Sequence, residues 1–198
     1  KLLTSTELVG TLSSIPVVAQ VVNAANKFGP ARTVLQQALG VDARRQLPEF
    51  DSANFRAEAV ASHNHPVRDG AKSPGKVAVF STCYVNYNEP GIGHDLLKLL
   101  DHNEIPYRIV QGETCCGMPK LELGDLQTVE KYKERNIPLM HQLAQQGYAI
   151  VTPVPSCTLM FKSEIPLLFP EDSRCKEVSL AMYDPFEYFV LRQKDGLL

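Results

Sequence analysis

The sequence predicts an α/β fold: a parallel sheet with flanking helices, cysteines on loops at the strand carboxyl ends, and a helical N-terminal extension. Three observations carry this. Short apolar runs at 77–80, 107–110 and 148–151 alternate with stretches of helix-like apolar spacing. A cysteine follows each run: Cys83 after the first, Cys115 and Cys116 after the second, Cys157 after the third. A stretch rich in Pro, Gly and polar residues at 61–75 sets off what precedes it. The chain therefore divides into an extension at 1–60, a linker at 61–75 and a cysteine-rich domain at 76–198.

The elements follow in order. Residues 7–27 place Leu8, Leu12, Ile15, Val18 and Val22 at helical spacing, with Pro16 as a kink or restart and Gly29-Pro30 as a stop. Residues 31–39 form a second helix that Gly40 caps. No catalytic constellation stands out in this block, which reads as helical packing or a docking arm. In the linker, His63 and His65 form a His-x-His that reads as solvated rather than metal-binding. Residues 92–103 are a helix with Leu96, Leu97, Leu99 and Leu100 inward. Residues 127–146 are a longer one, with Val129, Tyr132, Ile137, Met140 and Leu143 inward, Pro138 as a possible kink and Gly147 as cap. Residues 159–169 are helical with a break at Pro166, and residues 183–193 are the last helix.

Composition narrows the classes. The chain has 198 residues, 44% of them hydrophobic, which supports one compact domain with an appendage. Its net charge of −2 and lack of a basic block give no footprint for nucleic acid. No apolar run approaches the roughly 20 residues that span a bilayer. The start, Lys1-Leu2-Leu3-Thr4, has neither an initiator Met nor a signal-peptide pattern, so the expectation is a chain that begins inside a longer gene product. Five cysteines, an odd count at irregular spacing, fit a disulfide framework poorly. They point to a cytoplasmic protein, membrane-associated if at all through a partner, whose thiols are metal ligands or redox groups.

In open parallel sheets ligands gather at the strand carboxyl ends. Cys83, Cys115, Cys116 and Cys157 all fall there and form one candidate metal site. Four thiolates suit zinc or an iron–sulfur cluster. The close Cys-x₂₋₄-Cys knuckles of structural zinc sites are absent, and adjacent cysteines diverge too much to chelate one small ion easily. Gly117 lets the backbone turn tightly beside them. A helix beginning just after Cys157 would favour its thiolate. Cys175, in a charged stretch, reads as an exposed bystander.

The segments Cys83-Tyr84-Val85-Asn86-Tyr87, Cys115-Cys116-Gly117-Met118-Pro119 and Pro155-Ser156-Cys157-Thr158-Leu159-Met160 resemble the cysteine-rich CCG domain. That domain occurs in a subunit of heterodisulfide reductase and in iron–sulfur subunits of glycolate oxidase and anaerobic glycerol-3-phosphate dehydrogenase. The resemblance covers about residues 76–190, with a weaker likeness at 31–55. It implies a cluster of the [4Fe-4S] type on Cys83, Cys115, Cys116 and Cys157, with zinc as the alternative. The family pattern ends in Cys-x-x-Cys, whereas here the last position is Met160, which either neighbours the cluster as a weak thioether or packs. Asn86, Tyr87, Ser156 and Lys162 match family positions. Asn86 and Ser156 are candidates to donate hydrogen bonds to sulfur, and Lys162 to offset negative charge.

The implied function is an electron-transfer subunit whose partner is a flavin dehydrogenase subunit or a ferredoxin-like domain. The alternatives are a disulfide-reducing enzyme, against which the missing fifth cysteine argues, and a structural zinc or metal-free interaction module. No Ser–His–Asp set, phosphate loop or close carboxylate pair supports a hydrolase or kinase.

Overall fold

The computed structural model describes residues 4–62 and 65–198, the side chain of Leu39 excepted. His63 lies outside the described residues. The N-terminal block holds α1 (Thr6–Ser13), α2 (Pro16–Lys27), α3 (Gly29–Leu39) and α4 (Phe55–Glu58). Then come β1 (Val77–Val79), α5 (Cys83–Tyr87), α6 (Pro90–His102) and β2 (Tyr107–Ile109). They are followed by α7 (Met118–Leu121), α8 (Leu126–Gln145), β3 (Ala149–Val151) and α9 (Pro155–Leu159). A π-helical turn (Met160–Glu164) leads into α10 (Ile165–Leu168), α11 (Ser173–Ala181), β4 (Met182–Tyr183) and α12 (Pro185–Lys194).

The four strands form one parallel sheet in the order β2-β1-β3-β4. Its side chains alternate between two cores, as the period of two requires. Val77 and Val79 face a core with Leu96, Leu97, Leu100, Phe55 and Tyr188. Ala78 and Phe80 face the other, with Val129, Ile137, Met140, Phe161 and Val178. Cys115, Cys116 and Cys157 belong to this second core and Cys83 packs against it, so the thiols sit on one side of the sheet.

The sequence expectation for residues 7–27 needs correction. Pro16 does restart the helix, at N1 of α2, where its missing N–H costs no bond. The apolar stripe, however, faces outward: Leu8 is 56% and Leu12 54% exposed, while Gly10, Ser13 and Ala19 are buried. The reason is a close approach on the small-residue side, where a Cβ on Gly10 would lie 2.3 Å from the Tyr87 ring. α2 ends at Lys27, before Gly29 and Pro30, as expected. They open α3, which follows Phe28 and ends at Gly40 in the left-handed conformation. Leu99 is exposed, unlike its neighbours on α6. The strand at 182–183 is too short to show a period in the sequence.

Cys175 is likewise not an exposed bystander. It is wholly buried on α11 within the second core, and burial pushes its thiol up to about 11. The charged neighbours pair with one another and with α8: Arg174 with Asp172, and Asp172 with the buried Lys133 at 2.6 Å. His65 pairs with Asp101 at 3.4 Å. Among the described residues no single helix is long and apolar enough to cross a membrane; α1 and α2 are apolar together but bent by 106°.

Candidate metal centre

Each cysteine is delivered by the segment after a strand. Past β1 the chain turns through Thr82, whose φ of 65° is outside the usual range of a β-branched residue. Such strain, on the order of 1–3 kcal/mol, persists only where the surroundings fix it. Here the Thr82 hydroxyl accepts a hydrogen bond from the Val85 amide at 3.2 Å, and Cys83 becomes the first residue of α5. Cys115 and Cys116 lie in the loop between β2 and α7, and Gly117 (φ 99°) turns the chain into α7. Cys157 lies in the first turn of α9. That helix begins at Pro155, two residues before the cysteine rather than after it, because proline is preorganised for N1.

The result is a row of sulfurs. Cys83 Sγ is 3.9 Å from Cys115 Sγ, and Cys157 Sγ is 3.1 Å from Cys116 Sγ. Cys115, Cys116 and Cys157 are buried and Cys83 is half-buried. Donation from Cys116 and then Cys83 holds the Cys115 thiol well below its ordinary range. The same contact with Cys115, together with burial, pushes Cys83 and Cys116 up.

Several side chains fix the central loop. Asn136 of α8 is fully buried; its Oδ1 accepts from the Thr114 amide at 2.9 Å. Its Nδ2 donates to the Thr114 and Cys115 carbonyls at 3.2 and 3.1 Å. Glu113, wholly buried, accepts from the Ser81 amide at 3.0 Å, from the Ser81 hydroxyl, and from Arg56 Nε at 2.9 Å. Burial lifts the Glu113 carboxyl to about 7 against the opposing pull of Arg56 and Ser81. Arg56 also meets Glu7 of α1 at 3.2 Å. Sequence reasoning singles out none of Glu7, Arg56, Ser81, Glu113 and Asn136. Asn136 is legible in principle, since it falls on the inward face of α8 between Lys133 and Met140.

The residues expected around the site divide. Asn86 is buried, with its Oδ1 accepting from the Arg56 amide at 2.9 Å and its Nδ2 without a partner among the described residues. Tyr87 is turned to α1. Met160 is fully buried beside Gly117, where an added Cβ would stand 3.4 Å from Met160 Cε. Ser156 is exposed. Lys162 is engaged by Glu187 at 2.6 Å. Gly117→Ala meets both a left-handed φ and Met160, and is expected to cost about 1–3 kcal/mol. An unchanged urea midpoint would contradict this.

The donor set suits a multi-iron cluster better than one ion. A tetrahedral zinc site needs its ligands around a single point. Among the described residues no group of three or more His, Cys, Asp or Glu side chains is so arranged, and the zinc alternative is not supported. A cluster asks each thiolate to reach a different iron. Buried donors without protein partners, Thr6 Oγ1, Asn86 Nδ2 and Thr158 Oγ1, are of the kind that anionic sulfur accepts from.

Residues 77–162 match the family model described as the cysteine-rich domain CCG. Over 175 residues the chain is 30% identical to a subunit of anaerobic glycerol-3-phosphate dehydrogenase of Escherichia coli (strain K12), covering 87% of this chain and 42% of that protein. It is 28% identical over 127 residues to a subunit of fumarate reductase (CoM/CoB) of Methanothermobacter marburgensis, covering 64% of this chain and 25% of that one. It is 29% identical over 109 residues to lactate utilization protein A of Bacillus subtilis (strain 168), covering 55% and 44%. The chain thus spans less than half the length of these relatives. No solved structure matches it. In residues 77–162, with Cys83, Cys115-Cys116-Gly117 and Cys157 at the ends of successive parallel strands, this chain belongs to the cysteine-rich CCG domain family.

Proposed function

We propose that the chain is an electron-transfer component of an oxidoreductase and that Cys83, Cys115, Cys116 and Cys157 hold one iron–sulfur cluster of the [4Fe-4S] type. The observation that carries this is the meeting of four thiols from three strand ends, in pairs 3.9 and 3.1 Å apart. When bound, such a cluster supplies one-electron chemistry at a potential set by its surroundings. The protein's part is to hold the thiols, to aim Cys83 through the strained Thr82, and to keep water from the buried sulfurs. Half-buried Cys83 marks the side nearest solvent, where a redox partner would approach. A flavin dehydrogenase subunit or a ferredoxin-like domain fits that role, since two of the relatives are subunits of a dehydrogenase and a reductase. The setting is cytoplasmic, with any membrane association made through the partner. Met160 beside Gly117 puts a thioether where a fifth thiol would serve disulfide chemistry, which favours a relay over disulfide reduction.

Iron, sulfide and zinc analysis of anaerobically purified protein, with electron paramagnetic resonance before and after dithionite, tests this. About four irons per chain are expected, one for each thiolate of a cubane. They should be lost on Cys116→Ser and retained on Cys175→Ser. Iron-free protein after anaerobic reconstitution would refute the reading.

A further inference from the structure

We propose that α1 roofs the cysteine site and that Thr6 is a positioning residue whose unpartnered hydroxyl is placed to donate a hydrogen bond to sulfur of the bound cluster on the Cys83–Cys115 side. α1 lies outside the stretch matched by the family model. Thr6 Oγ1 is buried and has no hydrogen-bond partner among the described residues. Its sequence neighbours Glu7 and Ser5 are tied to the segments that follow Cys83 and Cys116, through Tyr87 and Lys120, so the unpartnered hydroxyl lies on the cysteine side of α1.

Anchors on both sides hold α1 in place. On the α5 side, the helix that carries Cys83, the Tyr87 hydroxyl donates to Glu7 Oε2 at 2.8 Å and lies 3.1 Å from Thr11 Oγ1. The Tyr87 ring fills the notch left by Gly10. On the α7 side, just after Cys115 and Cys116, Lys120 Nζ donates to Ser5 Oγ at 3.2 Å. Arg56 links Glu7 to Glu113 beneath. Thr6 sits between these anchors, so its hydroxyl is held over the sulfurs rather than free to turn to water.

Donation to a cluster sulfur stabilises the reduced, more negative state and raises the potential. This consequence rests on the cluster reading above; the roof itself does not. Thr6→Val removes the donor at nearly constant volume, and Thr6→Ser keeps it. In redox titration of iron-loaded protein followed by electron paramagnetic resonance, Thr6→Val is expected to lower the reduced-to-oxidised ratio roughly tenfold at a fixed potential. That equals about 59 mV for a one-electron couple. Thr6→Ser should titrate with the wild type. If Thr6→Val carries the same iron and titrates with the wild type, the donor assignment is wrong while the cluster reading stands.

The roof is tested without metal by Gly10→Val, which must push α1 off Tyr87. Alkylation of Cys83 by iodoacetamide in the metal-free protein, read by mass spectrometry, should then be several-fold faster than in the wild type. An equal rate would overturn the roof whether or not the chain binds iron.

Discussion

Arg56→Leu is expected to destabilise the metal-free fold by about 2 kcal/mol at pH 8.5, because it leaves a buried carboxylate without its cation. Glu113 is fully buried and Arg56 Nε lies 2.9 Å from its Oε1. Removing the guanidinium leaves only Ser81 to hold Glu113, and releases Glu7 as well. The pH dependence identifies the mechanism. Burial holds the Glu113 carboxyl at about 7 in the folded protein, above its ordinary 4.5. Between those values the folded state keeps a proton that the unfolded chain has released, so stability from this group falls as pH rises through the window. Arg56 is the strongest influence opposing the rise, so its loss carries the Glu113 value higher and extends the fall to more alkaline pH. The deficit should therefore be small near pH 6 and grow to about 2 kcal/mol by pH 8.5, and Glu113→Gln added to Arg56→Leu should recover most of it. Urea unfolding at the two pH values decides the matter; equal deficits would show that Arg56 acts through packing instead.

Asn136→Leu is expected to cost about 3–5 kcal/mol, on the reasoning that each buried backbone group left unpaired costs about 1–3 kcal/mol. It strips partners from the Thr114 amide and from the Thr114 and Cys115 carbonyls. Asn136→Asp should be no better. It preserves the acceptor for the Thr114 amide but sets a carboxylate oxygen against two carbonyls. Both variants should also load less iron than the wild type under the same reconstitution, since the Cys115-Cys116 loop loses its template. Wild-type stability in Asn136→Leu would mean that the loop is held by its own turn at Gly117.

The sheet and the cysteine placement are legible in the sequence because two simple periods coincide with them. Val77 to Phe80 is a buried run, and the helix after it carries Leu96, Leu97 and Leu100 at helical spacing. The clustering of four thiols follows from where parallel strands end. What surrounds the thiols is less legible, since it depends on contacts between segments far apart in the chain. Nothing local to Arg56 or Glu7 marks them as neighbours of Glu113. The outward stripe of α1 misleads for a related reason: apolar spacing tells that a helix is amphipathic, not which side a partner takes. Gly10 against Tyr87 decides that, and only the folded chain brings them together. Cys175 misleads through its charged neighbours, which bond one another while the thiol turns inward.

The topology of the sheet also bears on the order in which its parts assemble. The four strands pair with one another only in parallel: Val77 with Tyr107, Val77 with Ala149, Ile150 with Met182. No hairpin can nucleate such a sheet, and each contact requires closure of a long intervening segment that bears a helix. Chains of this topology fold in roughly milliseconds to seconds, slower than helical bundles. Cys83 and Cys115 can meet only when β2 has joined β1, and Cys157 only when β3 has followed. A nascent chain therefore carries separate, reactive thiols until its third strand has been synthesised and docked. On the proposed reading, cluster acquisition would come after sheet formation, and a reducing environment during that interval would protect the thiol set from oxidation.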